Sequence, residues 1–194
     1  MNSYKDLIFK FEYLGIEKSI STGETLIGKA PHIAPAAWLN SIYLPLREND
    51  VKLLEDELGT NIPIDYRNFL TKFSNGLDIL VGTFSLDGLR RNYIRSVDES
   101  RQPFSIITKN IEERPYNAKD SYFFIGGYKW DGSCIYIDKE TNIVHYCDRD
   151  DATSLFQWNS FEEMLISELH RTYLLFDDKG VKINEDVWTT PIER

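Results

Sequence analysis

The clearest pattern of apolar and polar positions lies in the middle of the chain, where three short β-rich runs follow one another. Tyr122–Ile125 is apolar and precedes two glycines, and Cys134–Asp138 and Ile143–Cys147 flank the turn Lys139–Asn142. Runs of aromatic and β-branched residues bounded by turn residues predict strands, and the last two predict a hairpin. Because side chains alternate along a strand, the hairpin should have one apolar face and one mixed, half-covered face.

The turn also sets the register of this hairpin, with Asp138 opposite Ile143. The apolar face then consists of Ile135 and Ile137 opposite Tyr146 and Val144. The mixed face consists of Cys134, Tyr136 and Asp138 opposite Cys147, His145 and Ile143. We expect the apolar face to meet the core, with the rest of the chain arranged to bury it.

The N-terminal region is predicted to hold one helix and a long loop. Apolar residues at helical spacing predict a helix over Ser3–Leu14, opened by a capping box of Ser3 with Asp6. Residues 16–37 are rich in Gly, Pro, Ser and Thr, which predicts a loop. The mostly apolar segment Trp38–Leu46 follows.

Two helices are predicted next, and both have clear ends. The first begins at Asn49 or Asp50 and stops before Gly59, a residue that favours the position just after a helix. The second starts at Pro63, which suits a first helical turn, and is terminated by Gly76.

The second half of the chain is less regular outside the central hairpin. Leu77–Leu86 predicts a strand that bends at Gly82, and residues 87–120 are expected to contain short elements. Scattered arginines mark that segment: Arg90, Arg91, Arg95, Arg101 and Arg114. Ser160 with Glu163 predicts the capping box of a last helix. The residues expected in the core are Leu58, Phe69, Leu70, Ile135, Ile137, Phe161 and Leu165.

Composition and charge restrict the class of protein. The 194 residues are 42% hydrophobic and carry a net charge of −9, which argues against nonspecific binding to nucleic acid or to anionic membrane. The two cysteines lie in one hairpin and are expected to be free thiols. Neither a signal peptide nor a membrane-spanning run is apparent, so a soluble cytoplasmic protein is expected.

One segment resembles a phosphate-binding loop but lacks its essential features. Gly23–Ala30, GETLIGKA, matches G-x-x-x-x-G-K up to the last position, where alanine replaces the hydroxyl residue that binds magnesium. Pro31 and Pro35 argue against the helix whose N–H groups would hold a phosphate. We therefore do not expect nucleotide binding here.

Two groups of metal-ligating residues are better explained without a metal. Three soft ligands share the mixed hairpin face: Cys134, His145 and Cys147. A fourth ligand is not evident, and small cysteines suit a half-buried strand face. An acidic group follows the hairpin: Asp148, Asp150 and Asp151. A calcium loop would need Gly where Thr153 stands, so a solvated turn is favoured.

Signatures of catalysis are also missing from the sequence. It has no G-x-S-x-G, H-E-x-x-H or C-x-x-C motif. Its three histidines are few for acid–base chemistry, and His170 is placed where a helix C-terminus favours a cation without any function. We expect no enzyme activity, no cofactor and no metal.

Two blocks of the chain resemble the SUKH superfamily, which contains the fungal regulator of cell-wall glucan synthesis and many bacterial immunity proteins of polymorphic toxin systems. The first block is Val51–Gly76, VKLLEDELGTNIPIDYRNFLTKFSNG, with its E-x-x-L-G and P-x-D-Y-x-x-F-L elements and its final N-G. The second is Phe124–Asp138, FIGGYKWDGSCIYID, which is followed by a further strand and a terminal helix with an aromatic start, Ser160-Phe161.

The resemblance implies an α+β fold in which helices pack on an antiparallel-rich β-sheet. It covers roughly residues 46–175, which we take as the SUKH-like domain. Residues 1–45 would be an N-terminal extension of helix and loop packed on this domain. Residues 176–194 would be a loose C-terminal tail that starts with the turn Asp177–Gly180.

The resemblance also implies a protein-binding module and not an enzyme. Its first candidate function is an immunity protein that binds and occludes a cognate toxin domain, such as a nuclease. The alternative is a regulatory scaffold like the fungal member, which would bind host enzymes. Family residues do not locate the interface. We expect it where exposed aromatics stand beside acids: Tyr128, Trp130, Asp131, Asp148, Asp150 and Asp151.

The last candidates should form one surface, because both segments leave the sheet at the same end. Trp130 lies in the connection that leads to Cys134, and Asp148 follows Cys147, the predicted partner of Cys134. A tryptophan at this end would anchor a partner, and the carboxylates around it would attract a basic one.

Overall fold

The computed structural model describes residues 3–94, 96 and 100–193. Within these ranges the centre is a nine-stranded sheet whose strands lie in sequence order, each antiparallel to its neighbours. The strands are β1 (Ile16–Lys18), β2 (Thr25–Lys29), β3 (Trp38–Ile42), β4 (Leu77–Ile79), β5 (Phe84–Leu86), β6 (Tyr122–Gly127), β7 (Cys134–Asp138), β8 (Val144–Cys147) and β9 (Phe156–Trp158). The α-helices of the same ranges are α1 (Tyr4–Ile8), α2 (Glu48–Leu58), α3 (Ile64–Lys72) and α4 (Phe161–Tyr173). The predicted α+β class is confirmed.

The central hairpin has the predicted register. Ile135 faces Tyr146 and Ile137 faces Val144, and the Asp138 N–H donates to the Ile143 carbonyl at 3.0 Å. The apolar face joins the main core together with the buried residues of the helices. The mixed face is more covered than predicted, since its two cysteines and Tyr136 are buried.

Strand β6 continues through Gly126 and Gly127 because the neighbouring strands approach very closely there. A Cβ at Gly126 would lie 2.1 Å from the Ser85 carbonyl oxygen, and one at Gly127 would lie 2.0 Å from the Ser133 oxygen. A side chain would force β5 and β7 away at these positions. The two glycines therefore hold together the part of the sheet from which the turn with Trp130 emerges.

The three stronger helices are confirmed with small shifts at their ends. Gly59 follows α2 in the left-handed conformation, and the Ser160 hydroxyl accepts a hydrogen bond from the Glu163 N–H at 3.1 Å at the start of α4. The predicted core residues are buried, except that Leu58 is only partly buried at the edge of the core.

The predictions for the N-terminal region are partly wrong. The capping box of Ser3 and Asp6 is present, but the helix ends at Ile8 and a short 3-10 turn, Glu12–Leu14, follows. Residues 16–37 are not a loop, because β1 and β2 lie within them. The two strands pair with each other, and β2 also pairs with β3; composition does not reveal such partners.

The segment that resembles a phosphate-binding loop is part of this sheet. Gly28 and Lys29 belong to β2, and Gly28 has a φ of +75° although it lies within the strand. A Cβ at this glycine would lie 2.8 Å from the Phe11 Cβ. Gly28 thus lets the 3-10 turn lie against the strand, and no helix follows to receive a phosphate.

The single bent strand predicted over Leu77–Leu86 is wrong, because this segment is a hairpin. Leu80, Val81 and Gly82 all have positive φ and reverse the chain between β4 and β5. The Leu80 N–H donates to the buried Asn40 side chain at 3.1 Å, which supports this conformation. An apolar turn of this kind carries none of the usual turn residues at its first two positions.

Within residues 87–120, the described residues 100–120 cover the mixed face of the sheet with short elements, as expected. They include a bridge between Gly88 and Ser105 and the π-helical segment Thr108–Glu112. The Asn110 side chain binds both backbone groups of Phe124, donating to its carbonyl at 2.8 Å and accepting from its N–H at 3.0 Å. Arg95 lies outside the described residues.

The C-terminal segment contains the predicted turn but is not loose. The Asp177 carboxylate accepts hydrogen bonds from the N–H groups of Lys179 and Val181. Further on, the Thr189 carbonyl accepts a 2.6 Å hydrogen bond from Arg171 of α4, and Thr190 is buried. This segment therefore packs against the domain.

Candidate partner-binding surface

The six predicted interface residues have very different environments. Trp130 has 78% of its surface exposed, which is unusual for a large aromatic side chain. Tyr128 was predicted to be exposed, and this is wrong, since only 2% of its surface is accessible. Its ring packs edge-on against Tyr146, and its hydroxyl donates to the carboxylate of Glu168.

The turn that carries Trp130 is held by its own backbone and by Asp131. The Tyr128 N–H donates to the Ser133 carbonyl at 3.0 Å, and the Gly132 N–H donates to the Tyr128 carbonyl at 3.0 Å. One oxygen of Asp131 accepts from both the N–H and the hydroxyl of Ser133. Asp131 thus has a structural role in presenting Trp130.

The acidic turn lies directly beside the Trp130 turn. A Cβ at Gly132 would lie 3.0 Å from the Arg149 side chain, so the two segments touch. Asp150 is exposed and Asp148 is half-buried. Asp151 is turned toward Asn117, whose amide donates to it at 2.7 Å.

The acidity of this surface is uneven. Hydrogen bonds from Thr153 and Asn117 lower the pKa of Asp151 and keep it ionised. Arg149 stands between the acids and bridges to Glu113 at 3.4 Å, which offsets part of their field. Asp150 is the most exposed of the three carboxylates and the one best placed to meet a partner.

A groove of about 600 Å³ opens beside Trp130, and the sequence reasoning missed it. Its walls are Trp130, the β4–β5 turn around Val81, and the C-terminal residues 185–189 with Trp188. The signal that the sequence offered was the apolar pair Val187-Trp188 in the C-terminal segment. The groove is a concave surface with two tryptophans in its lining.

A buried ionic network ties the walls of this groove together. Glu168 is 2% exposed and pairs with Arg171 at 2.6 Å. The same Arg171 donates to the Thr189 carbonyl, and Glu168 accepts from Tyr128. A buried ion pair is favourable only when further hydrogen bonds satisfy its charged groups. Here Tyr128 supplies that hydrogen bond to Glu168, and the Thr189 carbonyl accepts one from Arg171. The network connects the base of the Trp130 turn to the C-terminal wall.

A second cavity of about 440 Å³ lies on the other side of the Trp130 turn, under the segment 87–120. Asp87, which directly follows β5, is 1% exposed, and neither of its carboxylate oxygens has a hydrogen-bond partner among the described residues. Burial raises the pKa of Asp87 to about 6, although the charge of Lys109 opposes this shift. Sequence spacing gave no reason to bring Asp87 and Lys109 together.

The candidate metal ligands of the hairpin do not converge. His145 stacks on Tyr136 with 4.9 Å between ring centroids, and its Nδ1 lies 2.8 Å from the Ser154 hydroxyl. Within residues 3–94, 96 and 100–193 no group of three His, Cys, Asp or Glu residues is placed to hold a metal ion. None of the helices in these ranges has both the length and the apolar composition of a membrane span.

The nine-stranded sheet, the helices on one face and the covering segment on the other define an α+β domain with an exposed groove. The chain belongs to the SMI1 / KNR4 family (SUKH-1), whose family model matches residues 45–167. This family is generally non-catalytic, and membership suggests an immunity-protein or regulator-type function. A search of curated proteins found no match.

Proposed function

We propose that the protein is a binding module that neutralises a cognate bacterial toxin domain by occluding it. Membership of the SMI1 / KNR4 family supports an immunity or regulatory function. The observation that carries the proposal further is Trp130, which stands exposed on a rigid turn next to a groove. Exposed tryptophans of this kind anchor protein interfaces.

The rigidity of the turn supports a binding function. Tyr128, Asp131 and the Glu168–Arg171 network all hold the turn from beneath, so Trp130 is presented without a large loss of conformational entropy on binding. A side chain whose only purpose was packing would be covered, as Tyr128 is. The hydrophobic anchor and the groove would therefore bury the centre of a partner interface.

The charge of the chain suits a basic partner. The net charge is −9, and the acidic turn lies at the rim of the proposed interface. Rim carboxylates act mainly on the rate of association, through long-range attraction that salt screens. A basic toxin domain, such as a nuclease, fits this arrangement.

A regulatory scaffold is the second candidate, because the matched family is named for regulators as well as for SUKH proteins. The same surface would then bind an enzyme of the host cell. A toxin gene immediately upstream would favour the immunity protein. Co-purification with the product of the neighbouring gene would distinguish the immunity protein from the regulatory scaffold.

Surface-binding kinetics with the neighbouring gene's product test the interface. Trp130→Ala should speed dissociation, at a cost of about 2 kcal/mol or more. The triple variant Asp148→Asn, Asp150→Asn and Asp151→Asn should mainly slow association, and association of the unmodified protein should weaken strongly with salt.

Matched controls lie on α2. Leu53→Ala removes another exposed apolar side chain, and Asp56→Asn removes another solvated charge, so both should leave the rates nearly unchanged. Unaltered rates for Trp130→Ala and for the triple variant, with folding intact, would place the interface elsewhere. The segment 87–120 and the first 45 residues would then be the surfaces to test.

A further inference from the structure

The two cysteines form a pair on the mixed face of the sheet. Cys134 and Cys147 stand directly opposite each other in the β7–β8 register, and both are buried free thiols. Their side chains project from the same face of the sheet and belong to one small buried cluster. Directly paired residues of antiparallel strands have Cα atoms about 4.5–5.5 Å apart, which is within the range that a disulfide spans.

A half-buried lysine distinguishes this pair from ordinary core cysteines. The Lys109 ammonium donates to Cys134 Sγ at 3.3 Å. The π-helical segment that carries it is fixed to β6 by the side chain of the next residue, Asn110. A packing role for two small thiols would need no cation against one of them.

The surroundings give the two sulfurs different chemical characters. The neighbouring thiol of Cys147 and the charge of Lys109 lower the pKa of Cys134 to about 7. The proximity of Cys134 and burial raise the pKa of Cys147. Cys134 is therefore the sulfur that ionises first while Cys147 retains its proton, as in a pair with one attacking and one resolving thiol.

A cavity lies next to the residues that surround Cys134. The 440 Å³ cavity is lined by Lys109, Gly127 and Gly132. Gly127 pairs with Cys134 across β6–β7, and the Gly132 carbonyl accepts from the Cys134 thiol at 3.4 Å. Cys134 itself is 3% exposed, so an oxidant has to be small to pass from this cavity to the sulfur.

We propose that Cys134 is an oxidation site for hydrogen peroxide or a similarly small peroxide, and that Cys147 resolves it to a reversible cross-strand disulfide. The Cys134 thiolate attacks one peroxide oxygen, so that an S–O bond forms, the O–O bond breaks and hydroxide leaves to take up a proton. Cys134 becomes a sulfenic acid, and peroxide accepts the two electrons.

The second step follows from the first. Once Cys134 is oxidised, its negative charge no longer opposes the ionisation of Cys147. Its sulfur then attacks the sulfenic sulfur, forming the S–S bond and expelling hydroxide, which leaves as water with the thiol proton. Overall two thiols and one peroxide give one disulfide and two waters, and a dithiol reductant reverses the change.

The test is intact-mass analysis and thiol titration of the folded protein treated with hydrogen peroxide. The unmodified protein should lose two hydrogen atoms and both thiols, and dithiothreitol should restore them. Cys147→Ser should instead accumulate a sulfenic acid at position 134, which dimedone traps when the treated protein is unfolded in its presence. Cys134→Ser should show neither product.

Lys109→Met tests the activating lysine. It should slow oxidation about three- to tenfold at pH 7, because less of Cys134 is ionised, and the rate should recover at a pH above the ordinary thiol pKa. Retention of both thiols by the unmodified protein, at peroxide levels that oxidise free cysteine, would overturn the proposal. Equal labelling of Cys134→Ser and Cys147→Ser by dimedone would also overturn the proposal. This comparison tests the proposal even if Lys109→Met fails to fold.

Discussion

Asp87→Asn should make the protein more stable at neutral pH. The Asp87 carboxylate is buried without a hydrogen-bond partner among the described residues, and burial raises its pKa from 3.8 to about 6 despite the opposing charge of Lys109. A difference of about two pKa units corresponds to about 3 kcal/mol of lost stability when the group is ionised. An asparagine of the same shape stays neutral, so it should restore about 2–3 kcal/mol at pH 7.

The sign of the pH dependence follows from the same shift. A carboxyl with a raised pKa binds its proton more tightly in the folded state, so its cost is complete above about pH 6 and disappears below the unfolded value near 3.8. The free energy of unfolding of the unmodified protein should therefore approach that of Asp87→Asn as the pH falls from about 6 toward 4.

Urea unfolding at pH 7 and at pH 4 measures both effects. Asp150→Asn is the matched control, since this exposed carboxylate should change stability by less than about 0.5 kcal/mol. If Asp87→Asn is less stable than the unmodified protein at pH 7, the reasoning is refuted. The electrostatic attraction between Asp87 and Lys109 would then outweigh the desolvation of the carboxylate.

Three substitutions test the structural framework of the proposed interface and of the core. Phe69→Ala should lower the free energy of unfolding by about 3–5 kcal/mol, because the ring is buried in contact with four other aromatic rings. The midpoint of thermal unfolding should fall by about 6–20 °C, whereas Leu53→Ala, at an exposed position, should have little effect. Tyr128→Phe should lose about 1.5–3 kcal/mol, as the buried Glu168 carboxylate loses a hydrogen bond, and denaturant unfolding that shows no loss would contradict the network. Gly28→Ala should lower the melting temperature, because φ is +75° and the new Cβ would lie 2.8 Å from another Cβ; an unchanged melting temperature would mean that the strand shifts at no cost.

The sequence determined the elements whose signals are local. The hairpin register followed from the alternation of Ile135 and Ile137 with polar neighbours and from the length of one turn. The start of α4 followed from Ser160, because a capping side chain binds backbone groups only three residues away. The family resemblance rested on the same regular elements, and the family match confirmed it.

Only the tertiary structure decided which residues would be covered by side chains from distant segments of the chain. The composition of residues 16–37 predicted a loop, but β1 pairs with β2 and β2 pairs with β3, and this pairing makes them strands. Tyr128 is buried because Glu168, forty residues later in the sequence, accepts a hydrogen bond from its hydroxyl. The contact between Lys109 and Cys134 is likewise a result of tertiary packing, because the covering segment places the ammonium against a sulfur that is twenty-five residues away in sequence. Local periodicity specifies a helix or strand, but burial and charge pairing depend on which distant segment lies above it.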